Sequence, residues 1–144
     1  MTEPVHLKVD GDDIRLAVSS KIILVGSLRK VRDALKHEPP RAEELEAAID
    51  EIEDLVMPAV RGLPANGQLV TSSPELADVA RAIDANARAI SVEQVEALFN
   101  RLADVSTGMP AATLGVPASR SFAANLLLLR EVLHHGGFAG VRLS

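Results

Sequence analysis

Residues 118 to 144 read ASRSFAANLLLLREVLHHGGFAGVRLS, and this C-terminal stretch decides the fold. Ala123 to Leu133 is apolar with a helical register, Ser119 stands where a helix N-cap would, and Gly136-Gly137 provides a glycine stop. Val141-Arg142-Leu143 then reads as a short terminal strand. A helix that feeds its chain into a strand is the closing unit of an α/β sheet, so the remaining elements are expected to pack around it.

Working outward, Val95, Leu98, Phe99 and Leu102 form the stripe of a helix that begins at Ser91. Leu76, Val79, Ala80 and Ile83 do the same for a helix with Ser73 at its N-cap and Pro74 at its first position. Gln68 to Ser73 reads as a strand running into that helix, after a turn over Leu63 to Gly67. Arg41 to Arg61 is the clearest helix, striped by Leu45, Ile49, Ile52 and Val56, with acids clustered early and Pro58 expected to kink or end its last turn. Leu28, Val31 and Leu35 share a helical face that Glu38-Pro39-Pro40 closes. At the N-terminus, Val5, Leu7, Val9 and then Ile14, Leu16, Val18 alternate with more polar residues around a hairpin turn, Asp10-Gly11-Asp12-Asp13. The continuous apolar run Lys21 to Val25 predicts a third strand, buried on both faces. The expected order is βββ-α-β-α-α-α-β: an α/β domain whose mixed five-stranded sheet joins a three-strand antiparallel meander to two parallel strands fed by helices.

Composition narrows the function classes. The 144 residues fit one domain, and 47% hydrophobic content excludes a disordered chain. Aromatics are 2%, without Trp or Tyr, so the core is Leu, Val, Ile and Ala and there is no stacking platform for single-stranded nucleic acid. A net charge of −5 weighs against nucleic-acid or anionic-membrane partners. No cysteine is present, which removes disulfides and thiolate metal sites. The apolar run Leu126 to Leu129 is far too short to cross a bilayer, and MTEPVHLKVDGDD has no basic and apolar leader, so a cytoplasmic, soluble protein is expected.

Four polar constellations bear on chemistry. The three carboxylates of the Asp10 to Asp13 turn could hold Mg²⁺, but their spacing completes no calcium loop and they read as a solvated hairpin tip. Thr71-Ser72-Ser73 could bind an anion where a strand meets a helix, yet without a glycine for close approach the pattern reads first as a cap and turn. His134 and His135 point about 100° apart on a helix and cannot easily share a metal, so they read as a cationic helix end. Arg120 could face a bound anion, although a surface pairing with an acid is the commoner outcome. No catalytic triad, metal site or cofactor is expected from these residues.

Several strings resemble the second domain of the exopolyphosphatase and guanosine-pentaphosphate phosphohydrolase family. They are Val25-Gly26-Ser27-Leu28-Arg29, His37-Glu38-Pro39-Pro40 followed by Glu43-Glu44-Leu45, Val92 to Ala103, Leu114 to Arg120, and Leu126 to Leu133. The resemblance implies a ribonuclease-H-like, actin-like domain over residues 1–144, with the family's first domain lacking a counterpart. In that superfamily two such domains clamp a phosphorylated ligand. The family's phosphate positions map onto Gly11 in the hairpin, Ser72 and Ser73, and Arg120, which become weak anion-site candidates. The departures are marked. Asp10, Asp12 and Asp13 replace donors, Ser72-Ser73-Pro74 has no glycine, and Phe122 stands where an acid is usual. At about 4 Å each carboxylate would oppose a phosphate charge by roughly 1 kcal/mol in water and about 4 kcal/mol at intermediate dielectric. The resemblance therefore implies a catalytically degenerate binding or regulatory module with no catalytic residues. A homodimer or a separate protein partner would cover the face of the missing domain. The alternative is one subunit of a split phosphohydrolase acting on polyphosphate or guanosine tetra- or pentaphosphate, with a phosphate-containing ligand in either case possible.

Overall fold

A computed structural model describes residues 3–64 and 67–144, so the turn expected over Leu63 to Gly67 lies partly outside the described residues. The strands are β1 (Val5–Asp10), β2 (Asp13–Val18), β3 (Lys21–Ser27), β4 (Leu69–Thr71), β5 (Ala89–Ser91) and β6 (Gly140–Leu143). The helices are α1 (Arg29–Ala34), α2 (Ala42–Val60), α3 (Pro74–Ile83), α4 (Val92–Ser106), α5 (Ala111–Leu114) and α6 (Arg120–Gly136).

α6 is the hub. Ser119 Oγ accepts the Phe122 amide at 3.1 Å, which caps its start. Gly137 ends it at φ +70°, a conformation that favours glycine, and the Phe138 amide returns to the Leu133 carbonyl at 3.0 Å. Ala123, Ala124, Leu126 to Leu129, Val132 and Leu133 are all buried, because α1, α2, α3 and α4 pack around this one helix. Its sequence is apolar on more than one stripe for that reason.

The sheet order is β3-β2-β1-β4-β6-β5. β1, β2 and β3 form the expected antiparallel meander, and β4 lies parallel to both β1 and β6. The sheet has six strands where five were expected. β5 pairs antiparallel with β6 at the far edge, and only Ile90 of its three residues is buried. A strand that short has no alternation to detect. α5, a single turn, was also not visible in the sequence.

The core side of the sheet takes Val5, Leu7, Val9, Ile14, Leu16, Val25, Leu69, Ile90 and Val141, against which the helices pack. The other side is a row set by register, Ile22-Ala17-His6-Val70-Arg142-Ala89, with Leu24, Arg15 and Lys8 beside it. This face is open. Ile22 is 64% and Leu24 78% exposed, so β3 is an edge strand covered on one face and not a strand buried on both. The apolar run misled because both faces of β3 are apolar while only one meets the helices. Pro58 lies inside α2, which continues through Val60.

Candidate functional site

In open α/β sheets the carboxyl ends of parallel strands, with the helix that follows, form the usual binding edge. Here that edge is the end of β1 with its hairpin, the end of β4, and the start of α3. Ser73 and the hairpin do meet there, but in a closed way. Ser73 is 7% exposed, and its Oγ accepts the Val9 amide at 2.9 Å. Thr71 Oγ1 donates to the Leu7 carbonyl at 2.7 Å and accepts the Ser73 amide at 3.2 Å. These bonds tie β4 to β1 and turn the Ser73 hydroxyl away from the helix start. Ser73 holds the N-cap position of α3, as expected, but its side chain makes no cap bond to that helix.

Ser72 is exposed, and Gly11 sits at the hairpin tip with φ +62° and open space around it. The acids nearby are engaged by basic neighbours. Arg32 on α1 donates to Asp12 at 2.5 Å, and this hydrogen bond holds the Asp12 carboxyl below its usual range. Arg15 reaches Asp10 at 3.2 Å. Arg120 does not join this group. Its guanidinium donates to the Leu35 carbonyl at 3.3 Å and its amide to the Glu38 carboxylate at 2.7 Å, so it fastens α6 to the connection between α1 and α2.

Two polar groups escaped sequence reasoning. The first joins α2, α4 and α6. Arg130 makes a two-pronged pair with Glu96 at 2.8 and 3.2 Å, meets Glu131 at 3.0 Å, and lies 3.9 Å over the Phe99 ring. Glu53, Glu131 and His135 bring ligand atoms within 4.8 Å of one another, a set that could in principle hold a cation. The guanidinium of Arg130 already supplies a positive charge there. Burial pushes the Glu131 carboxyl up, against the pull of Arg130 and with the help of Glu53. The i, i+4 spacing of Glu131 and His135 was readable; the approach of Glu53 from α2 was not.

The second is a cleft of about 380 Å³ between α3 and the start of α6, with Asn125 in its wall. A larger depression of about 540 Å³ lies on the open sheet face, where Gly140, Ala89 and Ser91 leave a shallow floor beside Arg142.

These elements define a class: an open mixed α/β sheet of the actin-like type, with helices packed on one face and a strand-end edge at β1 and β4. The chain is similar to solved Ppx/GppA structures. The crystal structure of the type II variant of the Aquifex aeolicus Ppx/GppA phosphatase matches with a TM-score of 0.77 at 12% identity, over 99% of this chain and 53% of that one. The Aquifex aeolicus PPX-GPPA enzyme matches with 0.73 at 13%, over 99% and 53%. An exopolyphosphatase-like protein matches with 0.68 at 11%, over 99% and 56%. The chain thus spans about half the length of each, consistent with their C-terminal domain. At such identities the likeness establishes the fold alone. No family model and no curated protein matches the sequence. Among the described residues no helix is long and apolar enough to cross a membrane.

Proposed function

We propose that this chain is a binding or regulatory module on an exopolyphosphatase-like scaffold that does not itself cleave phosphoanhydrides. One observation carries the reading: the strand-end groups that would have to receive a phosphate are bonded within the fold. Ser73 is spent on β1, Arg120 lies outside that edge and donates to the connection after α1, and the hairpin tip presents Asp10, Asp12 and Asp13 around Gly11. An anion approaching that edge meets Asp13 and the pairs Arg15–Asp10 and Arg32–Asp12, whose arginines are already engaged. Ser72 and the Gly11 backbone are the remaining open groups, too few to hold a polyphosphate chain by themselves.

The open sheet face supports the second half of the proposal, a partner. Ile22, Leu24 and the depression beside Arg142 leave apolar surface that a homodimer contact or a separate chain would cover. The test is phosphate release from polyphosphate and from guanosine tetraphosphate by the purified chain. None above the buffer rate is expected. Turnover that disappears in Ser72→Ala would overturn the reading and favour the subunit of a split phosphohydrolase.

A further inference from the structure

We propose that the cleft between α3 and the start of α6 is a binding site for an organic cation carrying several N–H donors, a guanidinium above all. This site adjoins the strand-end edge at the start of α3 but does not rest on the reading above.

Asn125 is 8% exposed, within an otherwise apolar run of α6. Its Nδ2 donates to the Ser121 carbonyl at 2.9 Å, which fixes the amide and leaves Oδ1 as the acceptor. Oδ1 is buried and accepts no hydrogen bond. Buried acceptors in folded proteins are nearly always satisfied, so this one calls for a donor. Bulk water does not reach it. Asn125 belongs to the cleft lining, so a donor seated in the cleft is the candidate to satisfy it.

The rest of the lining decides the charge. Glu75 and Asp78, both exposed, bring two carboxylates from the first turns of α3. Asp78 has only a loose contact with Arg81, at 3.8 Å and largely exposed. Among the described residues no basic side chain lines the cleft. The start of a helix usually favours an anion, but here three of its first four amides are taken, all but that of Ser121. Arg120 N donates to Glu38, and Phe122 N and Ala123 N donate to Ser119. What remains is acceptor-rich: two carboxylates, the Asn125 oxygen and the hydroxyls of Ser119 and Ser121. The half-buried ring of Phe122 adds an aromatic surface, which a delocalised cation prefers. A guanidinium meets all three demands, because its planar fork donates to several acceptors at once and its face lies on a ring.

The cation could be a free small molecule or an arginine side chain of another protein, and two probes separate them. Agmatine presents the free form and capped N-acetyl-arginine amide the side chain. The full chain, labelled with ¹⁵N, is titrated with each to on the order of 10 mM, the range in which a single small site is read. Saturable shifts are expected at Ser121, Phe122 and the Asn125 side-chain amide, weakened by added salt. Binding of both probes assigns a partner's arginine, and binding of agmatine alone a free amine. Glu75→Gln with Asp78→Asn, both surface changes that leave the fold intact, should weaken binding about tenfold or more. Asn125→Leu should abolish the shifts near the floor. The proposal falls if neither probe gives a saturable shift, if the Glu75 and Asp78 variant binds as the parent does, or if inorganic phosphate perturbs the same amides more strongly.

Discussion

Glu44 shows how one side chain decides a local structure and its response to acid. It is 8% exposed, and its carboxylate accepts the Arg41 amide at 3.0 Å and the His37 amide at 3.3 Å, with His37 Nδ1 at 2.7 Å. Burial alone would raise its pKa; the hydrogen bonds from Arg41, His37 and Lys36 outweigh burial and hold it down to about 2. A depressed acid stabilises the fold above its ordinary value and loses that contribution as pH falls, here between about 4.5 and about 2. Glu44→Gln keeps an acceptor at this position but removes the charge, and should therefore lower stability at neutral pH by about 1 kcal/mol and flatten the acid limb of a melting-temperature profile. Glu131 has the opposite sign. Burial raises its pKa, so the fold favours its protonated form and stability falls as pH rises past the ordinary carboxylate range. Glu131→Gln keeps the Arg130–Glu96 pair and should be at least as stable as the parent at pH 7, with the gain shrinking toward pH 4. Thermal melts of both variants across that range separate the two slopes.

At the scale of elements, α6 and its stop were legible in the sequence because glycine and apolar spacing are local signals. Ser119, Gly137 and the buried Leu run fell where those signals placed them. β5 was not legible, and Gly140 explains why. A Cβ on Gly140 would lie 2.4 Å from the Ile90 carbonyl oxygen and 3.1 Å from Ser91 Cα, so the pairing of β5 with β6 depends on a bare backbone. That requirement belongs to two segments far apart in the chain, and neither declares it alone. Gly140→Ala is expected to cost about 1–3 kcal/mol, because the contact is with backbone and cannot be relieved by a side-chain turn. Hydrogen exchange should show faster loss at the amides that β5 and β6 share, with β1 and β2 unchanged. Protection of β5 equal to the parent would contradict it. Ser73 was placed correctly at a helix start, but its bond to Val9 spans the sheet, and Arg120 was placed correctly at α6 while its partners, Leu35 and Glu38, lie in another connection.

Across the whole molecule the charges are segregated, and this bears on what can cover the open face. α2 carries Glu43, Glu46, Asp50, Glu51 and Asp54 on the helical side, whereas the open sheet face carries Lys8, Arg15 and Arg142, with Asp10 and Asp13 only at its hairpin end. A two-fold contact is self-complementary, so a face-to-face dimer would set this basic patch against the same patch of the other copy. A contact along the β3 edge avoids that. It would bury Ile22 and Leu24 and pair backbone groups that β3 leaves free. Self-association, if it governs this chain, should therefore run through β3 and depend little on Arg142. The double variant Ile22→Lys, Leu24→Lys changes two exposed side chains and should shift stability by no more than about 0.5 kcal/mol for each. Light scattering over a concentration series should find the parent chain associating and the double variant monomeric, with Arg142→Ala behaving as the parent. A parent that stays monomeric throughout would leave the face to a separate, acidic partner, and an Arg142→Ala variant that dissociates would place the contact on the face instead of the edge.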